Sequence, residues 1–396
     1  MSDEQRTPVE RSVLVLGAAP EAGWVSEALH DRGYRVAWVP GDEAAPDNAA
    51  AGIDRHDGWR LARLDGRVGA FRAGLVDEDG RHETLTASAV VVAVGNRRAV
   101  SWERLGVSPA DPGVMTVPQA RRLLDAPRET GPAYPHRQQT ILVALDLGGD
   151  TAKETATEAL FLARDLRARW NSEVLVLYRN LQVDTSDLEA LTRHMREEGV
   201  VFCRYEEPTL EATEQGVAFT YVEGTLLGQI LIVPEDVFPR EDTPALAKAL
   251  GLRVGEDGYF QEVNIRQYRP GLSERKGIYY AGRCHMDADP ATLRADAFRA
   301  AADVDALLGR GYLTPEAIRA EVDSAKCARC LTCVRTCPHG AVDVVTRDGV
   351  TAAWVEPLAC WGCGACVANC PVQAIDLLGL ETPAWASRLS EGIAAS

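Results

Sequence analysis

The sequence has little that would place the protein in a membrane, outside the cell or on a nucleic acid. No run of 18 apolar residues occurs in the 396-residue chain, so no membrane-spanning helix is predicted. The first eight residues, M-S-D-E-Q-R-T-P, are polar and lead into an apolar strand, which predicts no export signal. The chain has 42 lysines and arginines against 58 aspartates and glutamates, and its net charge of −16 argues against nucleic acid as a ligand.

Cysteine is scarce over most of the chain. Cys203 and Cys284 are the only two outside residues 327–370, and the other eight of the ten cysteines fall within that stretch. Its sequence begins C-A-R-C-L-T-C-V-R-T-C-P and, 33 residues further on, continues C-W-G-C-G-A-C-V-A-N-C-P. Both copies have the spacing C-x2-C-x2-C-x3-C-P, which is the ligand pattern of bacterial ferredoxins with two [4Fe–4S] clusters.

The spacing also predicts which cysteines bind together. A cubane cluster needs four thiolates, and a tight loop with a cysteine at every third position reaches three iron corners but not the fourth. The fourth ligand therefore comes from the other copy. We predict that the first cluster is bound by Cys327, Cys330, Cys333 and Cys370. The second cluster is predicted to be bound by Cys360, Cys363, Cys366 and Cys337.

Two other uses of these cysteines are less compatible with the pattern. A zinc ribbon has isolated C-x2-C pairs rather than triplets closed by C-P. A disulfide framework requires an oxidising compartment. We therefore expect two [4Fe–4S] clusters and a reducing, cytoplasmic location.

The two cysteine loops differ in charge. Lys326, Arg329 and Arg335 flank the first triplet, whereas the second is flanked by alanine, tryptophan and glycine. Because positive charge stabilises an added electron, we predict that the first cluster has the higher potential. The alternative is that these are solvated surface charges without effect.

The N-terminal part has the pattern of a dinucleotide-binding βαβ unit, with a strand at 12–17, a helix at 21–32 and a strand at 35–39. In the turn G-A-A-P-E-A-G, Gly17 keeps the first position of G-x-G-x-x-G, but Ala19 replaces the second glycine. Glu21 adds a negative charge at the helix N-terminus, where a phosphate would bind. A strand–helix pair that binds no nucleotide is therefore the alternative interpretation.

Further strand–helix patterns follow along the chain. They are a buried strand over 87–95, a strand, helix and strand over 140–145, 151–170 and 173–178, and a strand and alanine-rich helix over 277–282 and 290–307. In the second βαβ turn, Asp146 and Asp150 add negative charge, and we expect Asp150 to cap the helix. His285 lies alone after the last strand, so no catalytic residue is assigned.

Taken in order, these features resemble HdrA, a family of flavin and iron–sulfur proteins found in heterodisulfide reductases. The stretches that carry the resemblance are V-L-V-L-G-A-A-P-E-A-G, R-L-A-R-L-D-G-R-V-G-A-F, A-V-V-V-A-V-G, D-T-P-A-L-A-K-A-L-G-L, E-D-G-Y-F-Q-E-V, G-I-Y-Y-A-G and the tandem cysteine motif. The resemblance implies a flavin domain interrupted by a second α/β segment. It also implies that FAD contacts Gly17, Ala19, Gly95 and Gly282, and that the clusters pass electrons between flavin and partner subunits.

The predicted fold is α/β, with a Rossmann-like, two-dinucleotide-binding flavoprotein-like body, an inserted second α/β segment and an α+β ferredoxin domain. The domains are predicted at 11–130 (first flavin-like half), 138–235 (insert), 236–312 (returning half), 315–380 (ferredoxin) and 381–396 (tail).

The leading functional hypothesis is an electron-relay component of a multi-subunit cytoplasmic oxidoreductase, rather than a stand-alone enzyme. A flavoenzyme that moves electrons from NAD(P)H or a partner to the clusters is a second hypothesis, and it needs intact dinucleotide turns. A third is a non-catalytic adaptor that docks a ferredoxin module into an assembly.

Overall fold

The computed structural model describes residues 6–42, 52–126, 139–170, 172–183, 186–263 and 270–380. The predicted tail at 381–396 lies outside the described residues. The strands are β1 (Thr7–Pro8), β2 (Ser12–Leu16), β3 (Arg35–Gly41), β4 (Asp54–Asp57), β5 (Arg60–Arg67), β6 (Ala70–Val76), β7 (His82–Ala87), β8 (Ala89–Val92), β9 (Arg97–Ala99), β10 (Val114–Thr116), β11 (Thr140–Ala144), β12 (Glu173–Tyr178), β13 (Val201–Arg204), β14 (Thr209–Thr213), β15 (Gly216–Tyr221), β16 (Gly224–Gly228), β17 (Ile230–Val233), β18 (Asp236–Phe238), β19 (Ile278–Tyr280), β20 (Tyr312–Leu313), β21 (Arg319–Val322), β22 (Val342–Arg347), β23 (Val350–Val355) and β24 (Ile375–Leu378).

The α-helices are α1 (Pro20–His30), α2 (Val117–Asp125), α3 (Lys153–Trp170), α4 (Ser186–Glu197), α5 (Thr243–Leu250), α6 (Pro290–Leu308), α7 (Thr332–Thr336) and α8 (Ala365–Ala368). Among the described residues, no helix combines the length and apolar character needed to cross a bilayer.

The chain forms two compact units. Unit 1 comprises residues 1–95, 241–286 and 293–396, and unit 2 comprises 96–240 and 287–292. Residues 96–126, which we assigned to the flavin-like domain, therefore fold with unit 2. The reason is strand pairing: β10 pairs in parallel with β17, and this pairing satisfies backbone groups that would otherwise lack partners.

Unit 1 contains a five-stranded parallel sheet in the order β19-β8-β2-β3-β4. Its central strands β2 and β8 are fully buried and continuously apolar, as expected for strands covered on both faces. One apolar core joins Leu14 of β2 and Leu29 of α1 to Tyr280 and Ala300 of the returning segment. The predicted Rossmann-like α/β class is confirmed, and the returning segment completes the sheet.

Gly17 allows the end of β2 to approach the end of β8. Its φ is +117°, and a Cβ placed there would lie 2.3 Å from the carbonyl oxygen of Ala93. We expect Gly17→Ala to lower the free energy of unfolding by about 3 kcal/mol, because both the φ angle and the backbone contact are unfavourable. Gly33→Ala is the control: its φ is +79° with open space around it, so it should cost about 1 kcal/mol. Equal losses in chemical denaturation would contradict the steric explanation.

Unit 2 contains a second five-stranded parallel sheet, in the order β10-β17-β11-β12-β13, and a three-stranded antiparallel sheet, β14-β15-β16. Asp150 does not cap α3 as we expected. It forms an ion pair with Arg179 at 3.0 Å, while the backbone N–H of Lys153 donates to Asp287 at 2.9 Å. The cap of this helix thus comes from a residue distant in sequence.

Residues 319–378 form two similar copies of a strand, helix and strand, and we call this part the ferredoxin module. The first copy is β21-α7-β22 and the second is β23-α8-β24. The copies interlock, since β21 pairs with β24 and β22 pairs with β23, both antiparallel. The turn between β22 and β23 has φ angles of +51° at Asp348 and +78° at Gly349, as predicted for a hairpin with this dipeptide.

Candidate metal centre

Each predicted set of four cysteines surrounds its own cavity in the ferredoxin module. The first cavity, of about 380 Å³, is lined by Cys327, Cys330, Cys333 and Cys370. The second cavity, of about 300 Å³, is lined by Cys337, Cys360, Cys363 and Cys366. In both cavities, three sulfurs come from one triplet loop and the fourth comes from the other copy.

Backbone N–H groups donate to sulfurs in a pattern that repeats between the copies, with equivalent residues 33 positions apart. The four bonds are Ala341 to Cys337 (3.4 Å), Ala374 to Cys370 (3.2 Å), Ala353 to Cys327 (3.5 Å) and Ala320 to Cys360 (3.4 Å). The last two cross between copies, because a strand of one copy donates to the first cysteine of the other. Such bonds stabilise negative charge on sulfur and, in iron–sulfur proteins, help to set the potential.

The cysteine side chains fit an iron cluster better than they fit free thiols. Burial and the neighbouring cysteines raise the pKa of Cys366 to about 11, and burial likewise raises the pKa of Cys333. A thiolate in such a place needs a nearby positive charge, which bound iron supplies. Cys330 and Cys363 are exposed, so each cavity has one ligand at the surface.

The two triplet loops have the same backbone shape but different residues. Arg329 and Leu331 have φ angles of +55° and +63°, and their equivalents Gly362 and Gly364 have +67° and +77°. A Cβ at Gly362 would lie 2.3 Å from the carbonyl oxygen of Ile318, so a side chain cannot be added there. The first loop therefore carries an exposed guanidinium at a position where the second loop requires glycine.

The second cavity borders the 241–286 segment of unit 1. His339 and Trp361, which both line this cavity, stack with ring centroids 5.5 Å apart. The Nδ1–H of His339 donates to the carbonyl oxygen of Glu274 at 2.7 Å, and the Nζ of Lys276 lies 5.6 Å from the Trp361 ring centroid. The indole Nε1 is buried and has no hydrogen-bond acceptor within the part of the chain that the structure describes. A sulfur-rich cluster in the cavity would supply acceptors nearby.

Comparison with known proteins agrees with this geometry. Residues 320–377 match the family model of the 4Fe–4S dicluster domain, so two [4Fe–4S] clusters are cofactors of this chain. The HdrA iron–sulfur subunit of the CoB–CoM heterodisulfide reductase of Methanocaldococcus jannaschii is 34% identical over 194 residues, which are 47% of this chain and 29% of that relative. The chain is an HdrA-like iron–sulfur protein. It carries single electrons on its clusters.

Other relatives extend the match along this HdrA-like chain. The HdrA subunit of the ferredoxin:CoB–CoM heterodisulfide reductase of Methanosarcina mazei is 24% identical over 342 residues, which are 80% of this chain and 42% of that relative. The chain thus spans less than half the length of these two relatives. Among solved structures, T. acidophilum thioredoxin reductase aligns over 75% of this chain and 99% of its own, with a TM-score of 0.49 and 14% identity. Lactococcus lactis thioredoxin reductase aligns over 74% of this chain and 97% of its own, with a TM-score of 0.46 and 14% identity.

The residues that the resemblance assigned to FAD lie at one edge of the unit 1 sheet. Gly17, Gly95 and Gly282 follow the adjacent parallel strands β2, β8 and β19, and Ala19 immediately precedes α1. Ligands bind at this edge in such sheets. Here, however, the buried side chain of Glu21 lies against Gly282, so that a Cβ on Gly282 would be 2.3 Å from its Cγ. In this arrangement the residues do not fit the pyrophosphate of FAD.

The sequence analysis missed Arg283, which follows Gly282 and forms an ion pair with Glu21 at 2.5 Å. It also gave no role to the buried cluster around His285. That imidazole lies between Glu262 and Asp296, 2.9 Å from an oxygen of each carboxylate. Its 1% exposed side chain makes His285 a structural residue rather than one open to a substrate.

The buried imidazole predicts how stability depends on pH. Burial lowers the pKa of His285, but the carboxylates of Asp296 and Glu262 outweigh this effect and raise it above the ordinary value. The resulting stabilisation is full below the unfolded-state pKa of about 6.5 and is lost as pH rises through the higher folded-state value. We expect His285→Gln to flatten this neutral-to-alkaline decline in the free energy of unfolding. Denaturant titrations at a series of pH values test it, and an unchanged slope in the variant would contradict it.

Proposed function

We propose that this chain is the electron-relay component of a multi-subunit oxidoreductase complex. The observation that carries the proposal is the pair of four-cysteine cavities, each completed by a cysteine from the other copy. Crossed ligation of this kind holds two [4Fe–4S] clusters within one small domain, and such clusters accept and release single electrons. The chain's own residues hold the clusters, donate N–H groups to their sulfur ligands and exclude water from them.

The exposure of the ligands supports a relay rather than a storage site. Cys330 borders the first cavity and Cys363 the second, and both are exposed. Each cluster can therefore exchange electrons with a partner at the protein surface. Electrons would enter at one cluster and leave at the other.

The nature of the partners is inferred from the relatives. Their names describe subunits of reductases, among them the HdrA subunit of the H2/formate:CoB–CoM heterodisulfide,ferredoxin reductase of Methanococcus maripaludis, which is 31% identical over 188 residues. We infer that this chain likewise works with other redox subunits. The crossed ligand sets and the membership of a complex are both parts of this proposal.

Oxygen-free purification from the source organism tests the proposal. We expect about eight irons and eight sulfides per chain, together with co-purifying redox subunits whose reduction by the chain follows its own re-oxidation in stopped-flow absorbance. A zinc-containing chain, or far fewer irons, would overturn the cluster assignment. Fully loaded clusters that exchange no electrons with the co-purifying proteins would overturn the relay.

A further inference from the structure

We propose that carboxylates of the chain itself occupy the phosphate positions of both dinucleotide turns, so that the body binds neither FAD nor a nicotinamide dinucleotide. The two turns lie in different units and are held by different residues, so each is an independent observation. The inference does not depend on the relay function, because the ferredoxin module contains neither turn.

In unit 1, the position that would bind a phosphate is taken by Glu21. The helix α1 begins at Pro20, and its N-cap residue Ala19 provides no side-chain hydrogen bond. A helix N-terminus of this kind favours an anion. The carboxylate of Glu21 lies in the first turn with 0% exposure, and the guanidinium of Arg283 pairs with it at 2.5 Å. A bound phosphate would have to displace a buried carboxylate from its cationic partner.

The neighbouring turn, after β19, is also closed by a carboxylate. The backbone N–H of Gly282 donates to Asp296 at 2.7 Å in a buried position. Asp296 is fixed in turn by Arg299 at 2.7 Å and by His285 at 2.9 Å. An amide that could have bound a ligand oxygen therefore already has an acceptor within the protein.

In unit 2, Asp146 has the same role. It follows β11 at the carboxyl edge of the parallel sheet, is 5% exposed and has a φ of +61°. Its carboxylate accepts backbone N–H groups from Thr151 (2.8 Å), Arg179 (3.1 Å) and Asn180 (2.9 Å). These donors come from the loops after β11 and β12, where a nucleotide's phosphate and ribose bind in sheets of this type. Three amides thus surround an internal anion.

The first test uses the unmodified full-length protein. Material purified without oxygen and loaded with iron should release only substoichiometric flavin on acid treatment. Titration with FAD, NADH and NADPH, followed by fluorescence, should show no saturable binding. Stoichiometric FAD, or saturable binding of any of the three, would overturn the proposal. Iron and sulfide contents are measured on the same samples, so a failure here is distinguishable from a failure of the relay.

The second test asks whether Glu21 is the obstacle. Glu21→Gly leaves the guanidinium of Arg283 and the N-terminus of α1 without their carboxylate, so we expect the variant to bind ADP at least tenfold more tightly than the wild type in calorimetry. Glu27→Gly, the same change later in α1, is the matched control and should bind no better than the wild type. Glu21→Gln preserves the side-chain volume, and it should also gain affinity if Glu21→Gly fails to fold. Equal ADP binding by the wild type and a folded Glu21 variant would overturn the assignment.

Discussion

Replacing Cys370 with alanine should remove the cluster of the first triplet, although Cys370 lies in the second copy of the motif. The reason is that Cys370 lines the first cavity together with Cys327, Cys330 and Cys333. We expect the iron content of oxygen-free protein to fall from about eight to about four per chain. Iron analysis and electron paramagnetic resonance of the reduced protein measure the loss.

Two single variants identify which cluster has been lost. Cys330→Ala removes a ligand of the first cavity, and Cys363→Ala removes a ligand of the second. The spectrum that remains in Cys370→Ala should match that of Cys330→Ala. A match to Cys363→Ala would show that each copy binds its cluster alone. If the alanine variants retain no iron, Cys370→Ser, which offers an oxygen ligand, permits the same comparison.

Reversing the charge of Arg329 should lower the potential of the first cluster and leave the second unchanged. Arg329 lines the first cavity and, within the part of the chain that the structure describes, forms no ion pair. Two units of charge change near a partly solvated cluster correspond to a shift on the order of 50 mV. A redox titration followed by electron paramagnetic resonance of Arg329→Glu measures both potentials. In the unmodified protein, the first cluster is expected to have the higher one.

The matched control is Arg72→Glu, the same charge change on an exposed position of β6, outside the ferredoxin module. It should move neither potential. If Arg329→Glu also moves neither, the basic residues of the first loop are only solvated surface charges. A shift of both potentials by equal amounts would mean that the clusters respond to the net charge of the chain rather than to this loop.

Local spacing predicted more of this protein than charge did. The positions of Cys327 and Cys370 in the first cavity follow from the cysteine pattern, because a loop with a cysteine at every third residue leaves one iron corner unbound. The strands around Gly17 could be predicted for a similar reason, since buried parallel strands have continuous apolar runs. Such signals lie within a few residues of sequence.

The contacts that were not predicted join residues far apart in the chain. Glu21 and Arg283 are separated by 262 positions, and either residue alone has the pattern of an ordinary surface charge. The cap of α3 was assigned to Asp150, the nearest acid, whereas Asp287 provides it. The assignment of residues 96–126 was wrong because β10 pairs with β17, which follows more than a hundred residues later.

The interlocked copies of the ferredoxin module have a consequence for how the protein is made. While the chain emerges from the ribosome, the first three thiols appear before Cys370 has been synthesised. Neither metal site is complete at that stage, and a nascent loop with an unsaturated set of thiols is open to oxidation or to the wrong metal. Loading with iron must therefore wait until almost the whole polypeptide has been translated, and both sites become ready at nearly the same moment.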